Sequence, residues 1–307
     1  MTKKIKVNLF DSLAPDFYDE YWGFHNFSSE FEPTKVEWLK QNIGMGYPEF
    51  DGITVFTDKN IVDPWVDKVK SKYKVAFLVE CRGVHDWAYE QIKRVEHKFD
   101  RIFTFDEELL ARSDKYVKNL IGTSRVSNED AGIHAKSKML SMIASKQVLT
   151  RGHRLRHKVA DAIKGRYEVD MWGGGYRPFG KSISGRTAGA IREGKNEPLQ
   201  DYRFSITIMN SSENNYFTET LVDVFRQGTI PIFWGCPNIA EYFNKDGILH
   251  FNTGQELFDI LDNISEDLYE SKLEAVRENY ELAKQYVSMD DTFATNLINE
   301  FPELLDD

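Results

Sequence analysis

Cysteine is nearly absent from this 307-residue chain. The two present, Cys81 and Cys236, stand 155 positions apart (236 − 81). That excludes a disulfide framework and fits a reducing compartment, each thiol reading as a small buried hydrophobe. Long apolar runs are missing as well. The first, VNLF, is cut by Asp11, too short for the apolar part of a secretory signal or for a membrane span of about 20 residues. A soluble, cytoplasmic protein with no integral membrane segment is expected. Positive charge is in deficit: 39 Lys and Arg against 49 Asp and Glu give 39 − 49 = −10. Such a chain is repelled as a whole by nucleic acid and by anionic lipid, so no nucleic-acid partner is expected, although a local basic pocket for a small anion is compatible with it. Internal repeats and low-complexity tracts are also lacking.

What is present is ordinary for a folded chain of enzyme size: 41% apolar and 13% aromatic residues, enough for two cores. Short strand-like runs alternate with helical spacing: KIKVNLF (4–10), FDGITVFT (50–57), KVAFLVE (74–80) and DRIFTFD (100–106). Alternation of this kind implies a parallel sheet covered on both faces. A polar stretch, GTSRVSNEDAGIHAKS (122–137), has the composition of a linker. The alternation then restarts with MLSMIAS (139–145), HRLRHKVADAIK, YEVDMW (167–172), FSITIM (204–209), TETLVDVFRQ, TIPIFW (229–234) and ILHF (248–251). The expectation is an α/β protein of two Rossmann-like domains facing a central cleft: 1–135, 136–285, and a helical tail over 286–307. In open parallel sheets ligands sit beyond the carboxyl ends of the strands.

The most informative stretch is NSSENNYFTETLVDVFRQGTIPIFWG, Asn210 to Gly235. Thr218 is a good N-cap, Glu219 falls in the first turn, Leu221, Val222, Val224 and Phe225 supply an apolar face, and Gly228 stops the helix before the next strand. A strand therefore runs through a polar loop into a helix N-terminus, where free backbone N–H groups attract phosphate.

Residue identities in this stretch resemble the α-1,3-fucosyltransferases of glycosyltransferase family 10. Their signature runs approximately FENS, a spacer, Y-[VI]-T-E-K, a helix, then G-x-[VI]-P-[VI]-x-x-G. Asn210, Ser211, Tyr216, Thr218, Glu219, Gly228, Pro231 and Gly235 match it with the same spacing. Upstream, KSKMLSMIASKQ followed by RLRHKVADAI resembles the family's strand and its arginine-bearing helix. That puts Arg156, or Arg154 two residues earlier, on the donor-phosphate arginine. KVAFLVE resembles the strand ending in the proposed catalytic base, here Glu80. Two positions depart: Met209 replaces a glutamate, and Thr220 stands where the family has lysine, removing a positive charge where diphosphate charge accumulates. Lys146 or Arg203 is a candidate replacement.

The resemblance implies a GT-B type fold and a metal-free, inverting glycosyltransferase using GDP-fucose as donor and a glycan hydroxyl as acceptor. Arg156, Asn210, Tyr216, Thr218, Glu219 and Thr220 would form the donor site. The leaving group needs a preorganised positive field, and the acceptor needs a base on the opposite face, Glu80 with His85 as rival. Glu219 would contact sugar or ribose hydroxyls, since contact with phosphate is repulsive. No metal is expected: a short Asp-x-Asp element after a strand is lacking, and Glu168-x-Asp170, the nearest, falls on an expected strand. The glycine-rich loop 172–180 and the aromatic cluster 16–27, with Trp22, each read as binding element or as plain turn and core. Thr220 motivates a competing expectation, a non-catalytic binder of sugar nucleotides or glycans on the same scaffold, or use of a different nucleotide sugar.

Overall fold

The computed structural model describes residues 5–10, 36–39, 50–174, 176 and 195–305. The cluster around Trp22 and most of the 172–180 loop lie outside the described residues. The chain forms two units, Met1–Ile121 with Ser288–Asp307, and Gly122–Val287.

The first unit holds strands β1 (Ile5–Phe10), β2 (Val36–Leu39), β3 (Phe50–Thr57), β4 (Ser71–Phe77), β5 (Arg101–Thr104) and β6 (Tyr116–Lys118), all parallel, in the order β2-β1-β3-β4-β5-β6. Helices α1 (Trp65–Lys68), α2 (Arg82–Val95) and α3 (Glu107–Leu110) fall between them in sequence. The second unit repeats the scheme with β7 (Lys138–Ala144), α4 (Arg151–Ile163), β8 (Asp170–Gly173), β9 (Tyr202–Ile208), α5 (Glu219–Arg226), β10 (Ile230–Trp234), β11 (Leu249–His250), α6 (Gly254–Leu261), α7 (Glu266–Ser271) and α8 (Leu273–Ala283). Its sheet is also all parallel, in the order β11-β10-β9-β7-β8.

Strands buried on both faces lose the alternation of half-exposed strands and read as continuous apolar runs. Every residue of β9 and β10 is buried. Their side chains, with Leu140, Met142, Val159 and Ile163, form the core of the second unit, each large apolar group contributing roughly 1.5–3 kcal/mol. Pro231, which cannot donate to a ladder, sits in β10 one residue before pairing with β11 begins at Ile232.

The division differs from the sequence expectation at both ends. Residues 122–137 are no loose linker, because Asp223 Oδ1 accepts from Ser124 Oγ (2.7 Å) and from the backbone N–H groups of Arg125 (2.7 Å) and Val126 (3.3 Å). Arg226 adds bonds to Ser124 Oγ (2.9 Å) and Asn128 Oδ1 (2.6 Å). The polar composition that suggests a linker is what stitches the segment onto α5. Helix α9 (Met289–Glu300) belongs to the first unit: Phe293 stacks on Phe77 at 4.4 Å, and Asn296 Nδ2 donates to Asn119 Oδ1 at 2.7 Å. Among the described residues no helix is long and apolar enough to cross a membrane.

Candidate functional site

The loop between β9 and α5 is held by its own amides. Asn215, buried with φ +62°, takes a conformation that asparagine tolerates better than most residues. Its backbone N–H donates to Asn238 Oδ1 (2.8 Å), its Oδ1 accepts from Asn238 Nδ2 (3.0 Å), and Tyr242 also donates to that oxygen. Thr218 then caps α5, accepting from Thr220 N–H at 3.3 Å. The helix closes with Gly228 at φ +62°, its N–H bonded to Phe225 O (3.0 Å) and that of Thr229 to Val224 O (3.1 Å), the paired bonds that end a helix at a left-handed glycine.

The first turn of α5 faces a cavity of about 130 Å³, whose walls include Ser145, Arg156, Lys195, Ser205, Thr207, Ile208, Glu219, Thr220 and Asp223. It lies where β7 and β9 run side by side and the sheet order reverses, which is where open α/β sheets bind ligands. Ligand pockets usually span about 300–1,000 Å³, so this volume suits one charged or sugar-sized group. A larger cavity of about 390 Å³ lies along the flank of α4, between Asp161, Lys164 and β8 residues such as Met171.

Arg156 projects from α4, whose N-terminus packs hard against the β9 carboxyl end. Gly152 N–H donates to Asn210 O at 3.0 Å, and a Cβ on Gly152 would meet Met209 O at 1.7 Å. That contact aims the buried Arg156 at the strand terminus. Its Nε donates to Ile208 O (2.8 Å) and its Nη2 to Ile208 O and Asn210 Oδ1 (3.0 Å), while Nη1 has no hydrogen-bond partner among the described residues. Burial pulls the guanidinium below its ordinary value, against Tyr216 and Glu219; it stays a cation.

Glu219 is acidic throughout the working range. Burial works to raise its carboxyl, but the Lys195 ammonium, the Arg125 guanidinium and the Thr218 hydroxyl outweigh it and hold it at about 2. Lys195 Nζ lies 3.8 Å from Glu219 and 2.9 Å from Asp223, and Arg125 lies 3.8 Å from Glu219. The expected row of bare N–H groups at this helix end is not there. Thr220 N–H is taken by Thr218 Oγ1, and the Leu221 and Val222 N–H groups by Thr218 O. The cationic donors facing the cavity are therefore side chains.

The remaining sequence candidates fall out unevenly. Asn210 orients Arg156, Thr218 caps, and Thr220 lines the cavity; Tyr216 is buried and does not. Arg154 is exposed and turns back to the carbonyls of Val148 (3.1 Å) and Leu149 (2.9 Å), whereas Arg156 lines the cavity. Arg203 is corrected: it sits at the amino end of β9 and pairs with Glu266 of α7, at the wrong end of the strand to replace a phosphate contact. Lys146 is exposed just beyond β7. Glu80 does not end its strand as expected. β4 stops at Phe77, because Asp58 Oδ1 takes the N–H groups of Val79 (2.9 Å) and Glu80 (3.1 Å) and draws the chain out of register. Tyr89 OH holds the Glu80 carbonyl at 2.7 Å. His85 follows at a kink within α2 (φ −134°, ψ 48°). Both cysteines are buried, and burial pushes the Cys236 thiol up to about 11. Among the described residues no group of three or more His, Cys, Asp or Glu is placed to hold a metal ion.

Sequence reasoning missed Lys195, Arg125 and Asp223. Asp223 was within reach, since Glu219 and Asp223 are four apart and share one helix face. The other two come from segments without periodicity.

A family model for the C-terminal part of glycosyltransferase family 10 (fucosyltransferase) matches residues 133–297, which covers the whole cavity. Two curated proteins are similar over shorter stretches. An α-(1,3)-fucosyltransferase of Helicobacter pylori is 32% identical over 78 residues, 25% of this chain, and a fucosyltransferase-like protein of Arabidopsis thaliana is 28% identical over 96 residues, 31% of this chain. The matches span only 16% and 17% of those proteins' own lengths. A crystal structure of an α1,3-fucosyltransferase with GDP-fucose superimposes with a TM-score of 0.57 and 16% identity, over 100% of this chain and 92% of that one. At that identity the likeness establishes the fold: mixed α/β with parallel sheets, as in GT-B transferases.

Proposed function

We propose that this chain, which belongs to glycosyltransferase family 10, transfers fucose from GDP-fucose to a hydroxyl of a glycan acceptor. The observation that carries this is the cavity at the β7/β9 switch point, where Arg156 presents an unspent Nη1 beside an ionised Glu219. A nucleoside diphosphate leaving group gains negative charge as the sugar departs, and a fixed, desolvated guanidinium stabilises that charge without reorganising. Asn210 and the Ile208 carbonyl hold the guanidinium in place. Glu219, acceptor-only when ionised, binds sugar hydroxyls, and Thr218 and Thr220 complete that wall. Glu80 of the first unit is the general base, and the transfer is a single displacement that inverts the anomeric carbon. The protein works without a metal ion, in the cytoplasm.

The reading is supported by the family membership, by the GDP-fucose complex of the similar structure, and by this charge arrangement. Its test is calorimetric titration of the protein with GDP, UDP, ADP and CMP, followed by NMR of the product formed from GDP-fucose. GDP is expected to bind best, Arg156→Ala to weaken it by about 100-fold or more, EDTA to leave turnover unchanged, and the new bond to be of inverted configuration. Tighter binding of UDP would replace the donor, a product of retained configuration would remove the single displacement, and binding without turnover would favour a non-catalytic sugar-nucleotide binder, which Thr220 keeps as the second reading.

A further inference from the structure

Lys195 is 8% exposed, and a desolvated ammonium needs compensation. Its nearest carboxylate, Asp223 Oδ2 at 2.9 Å, forms an ion pair with it. Glu219 at 3.8 Å is too far for a direct bond. Asp223 is meanwhile occupied through its other oxygen by the 124–126 segment. An ammonium with three donors and one close partner among the described residues therefore faces the same small cavity as Arg156 Nη1 and the neutral hydroxyl of Thr220. Among the described residues the cations around these groups, Arg125, Lys195, Arg156 and Arg226, outnumber the two carboxylates, Glu219 and Asp223.

Given a nucleoside-diphosphate donor as just proposed, we infer that Lys195 is its second phosphate-binding cation, supplying from a separate segment the charge that Thr220 lacks on α5. A lysine is a compact point charge with three rotatable donors, suited to phosphate oxygens whose positions shift as the bond to the sugar lengthens. Arg156, fixed by the Ile208 carbonyl and Asn210, marks one side of the group and Lys195 the other.

The experiment is GDP titration of four proteins: wild type, Lys195→Met, Thr220→Lys and the double variant. Lys195→Met is expected to lower GDP affinity about 10- to 100-fold, and adding Thr220→Lys to restore most of it, with the two effects coupled. Lys195→Arg is expected to keep the affinity. Unchanged GDP affinity in Lys195→Met would overturn the assignment. So would recovery of affinity in Lys195→Met combined with Asp223→Asn, because the lysine would then serve only to neutralise Asp223. Should the wild type bind UDP rather than GDP, the same series is run with UDP: the guanosine donor fails while the lysine is tested unchanged. Should the wild type bind no nucleoside diphosphate, both fall together.

Discussion

The two parallel sheets share a strand order, with the reversal between β1 and β3 in one and between β7 and β9 in the other, yet the described residues at their switch points differ. In the first sheet the described residues at the end of β1 bond to one another. The Phe10 carbonyl accepts from Thr57 Oγ1 (3.3 Å) and Asn60 Nδ2 (3.1 Å), and Phe10 stacks on Phe56 at 4.8 Å. Asp58, buried with φ +41°, spends its carboxylate on backbone N–H groups. In the second sheet the same topological position is open and charged, with Arg156, Lys195 and Glu219 around a cavity. One topology thus carries different side chains at its strand termini, and function is read from the site rather than the fold.

Under the proposed function the labour would divide, with donor affinity in the second sheet and Glu80 of the first acting on the acceptor without affinity for the nucleotide. Glu80→Gln is the sharpest way to break it. It is expected to lower kcat by about 10²–10⁴-fold while leaving the GDP dissociation constant unchanged, because the amide keeps the shape and loses the proton acceptor. Unchanged turnover would move the role to His85. Next in size, Gly152→Ala forces a methyl to 1.7 Å from Met209 O and unseats α4 from the open switch point. A loss of about 3 kcal/mol in urea unfolding is expected, together with weaker GDP binding; a stable variant with normal binding would show that the α4–β9 contact does not build the site.

The smallest effect concerns acid. Burial first, then the Arg156 charge, pushes the His153 imidazole down to about 4 from an ordinary 6.5. As pH falls below about 6.5 the unfolded chain takes up this proton before the folded one, so stability is full above that pH and is lost progressively towards about 4, by about 2 kcal/mol at pH 5. His153→Gln keeps a capping-box side chain opposite Thr150 and removes the titration. Its urea midpoint is therefore expected to fall less between pH 7 and pH 5 than that of the wild type. Parallel curves for the two proteins would place the acid sensitivity elsewhere than in His153, and not in Glu219, whose depressed carboxyl loses its stabilisation only below about 4.5.

Much of this was legible because it is local. Apolar runs such as IPIFW and FSITIM announce buried strands, Thr218 announces a cap, and Gly228 announces a stop, since each depends on backbone conformation within a few residues. The short β2 and β6, of four and three residues, carry too little pattern to be read. Glu80 was legible as a residue but not as a loop residue, because it is Asp58, 22 positions earlier, that ends the strand.

By itself the sequence determined two α/β units, the α5 helix with both its ends, and the presence of Arg156, Glu219 and Glu80. Tertiary structure alone decided which cations gather at Glu219. Lys195 in REGKNEP and Arg125 in a polar stretch carry no period that points inward, and Arg203 and Lys146 were the candidates read instead. Whether a charged side chain faces a site depends on what desolvates and compensates it, and here those partners, Asp223 and Glu219 for Lys195, Glu266 for Arg203, lie 24 to 63 positions away (219 − 195 and 266 − 203), brought within 4 Å only when the sheet and its helices pack.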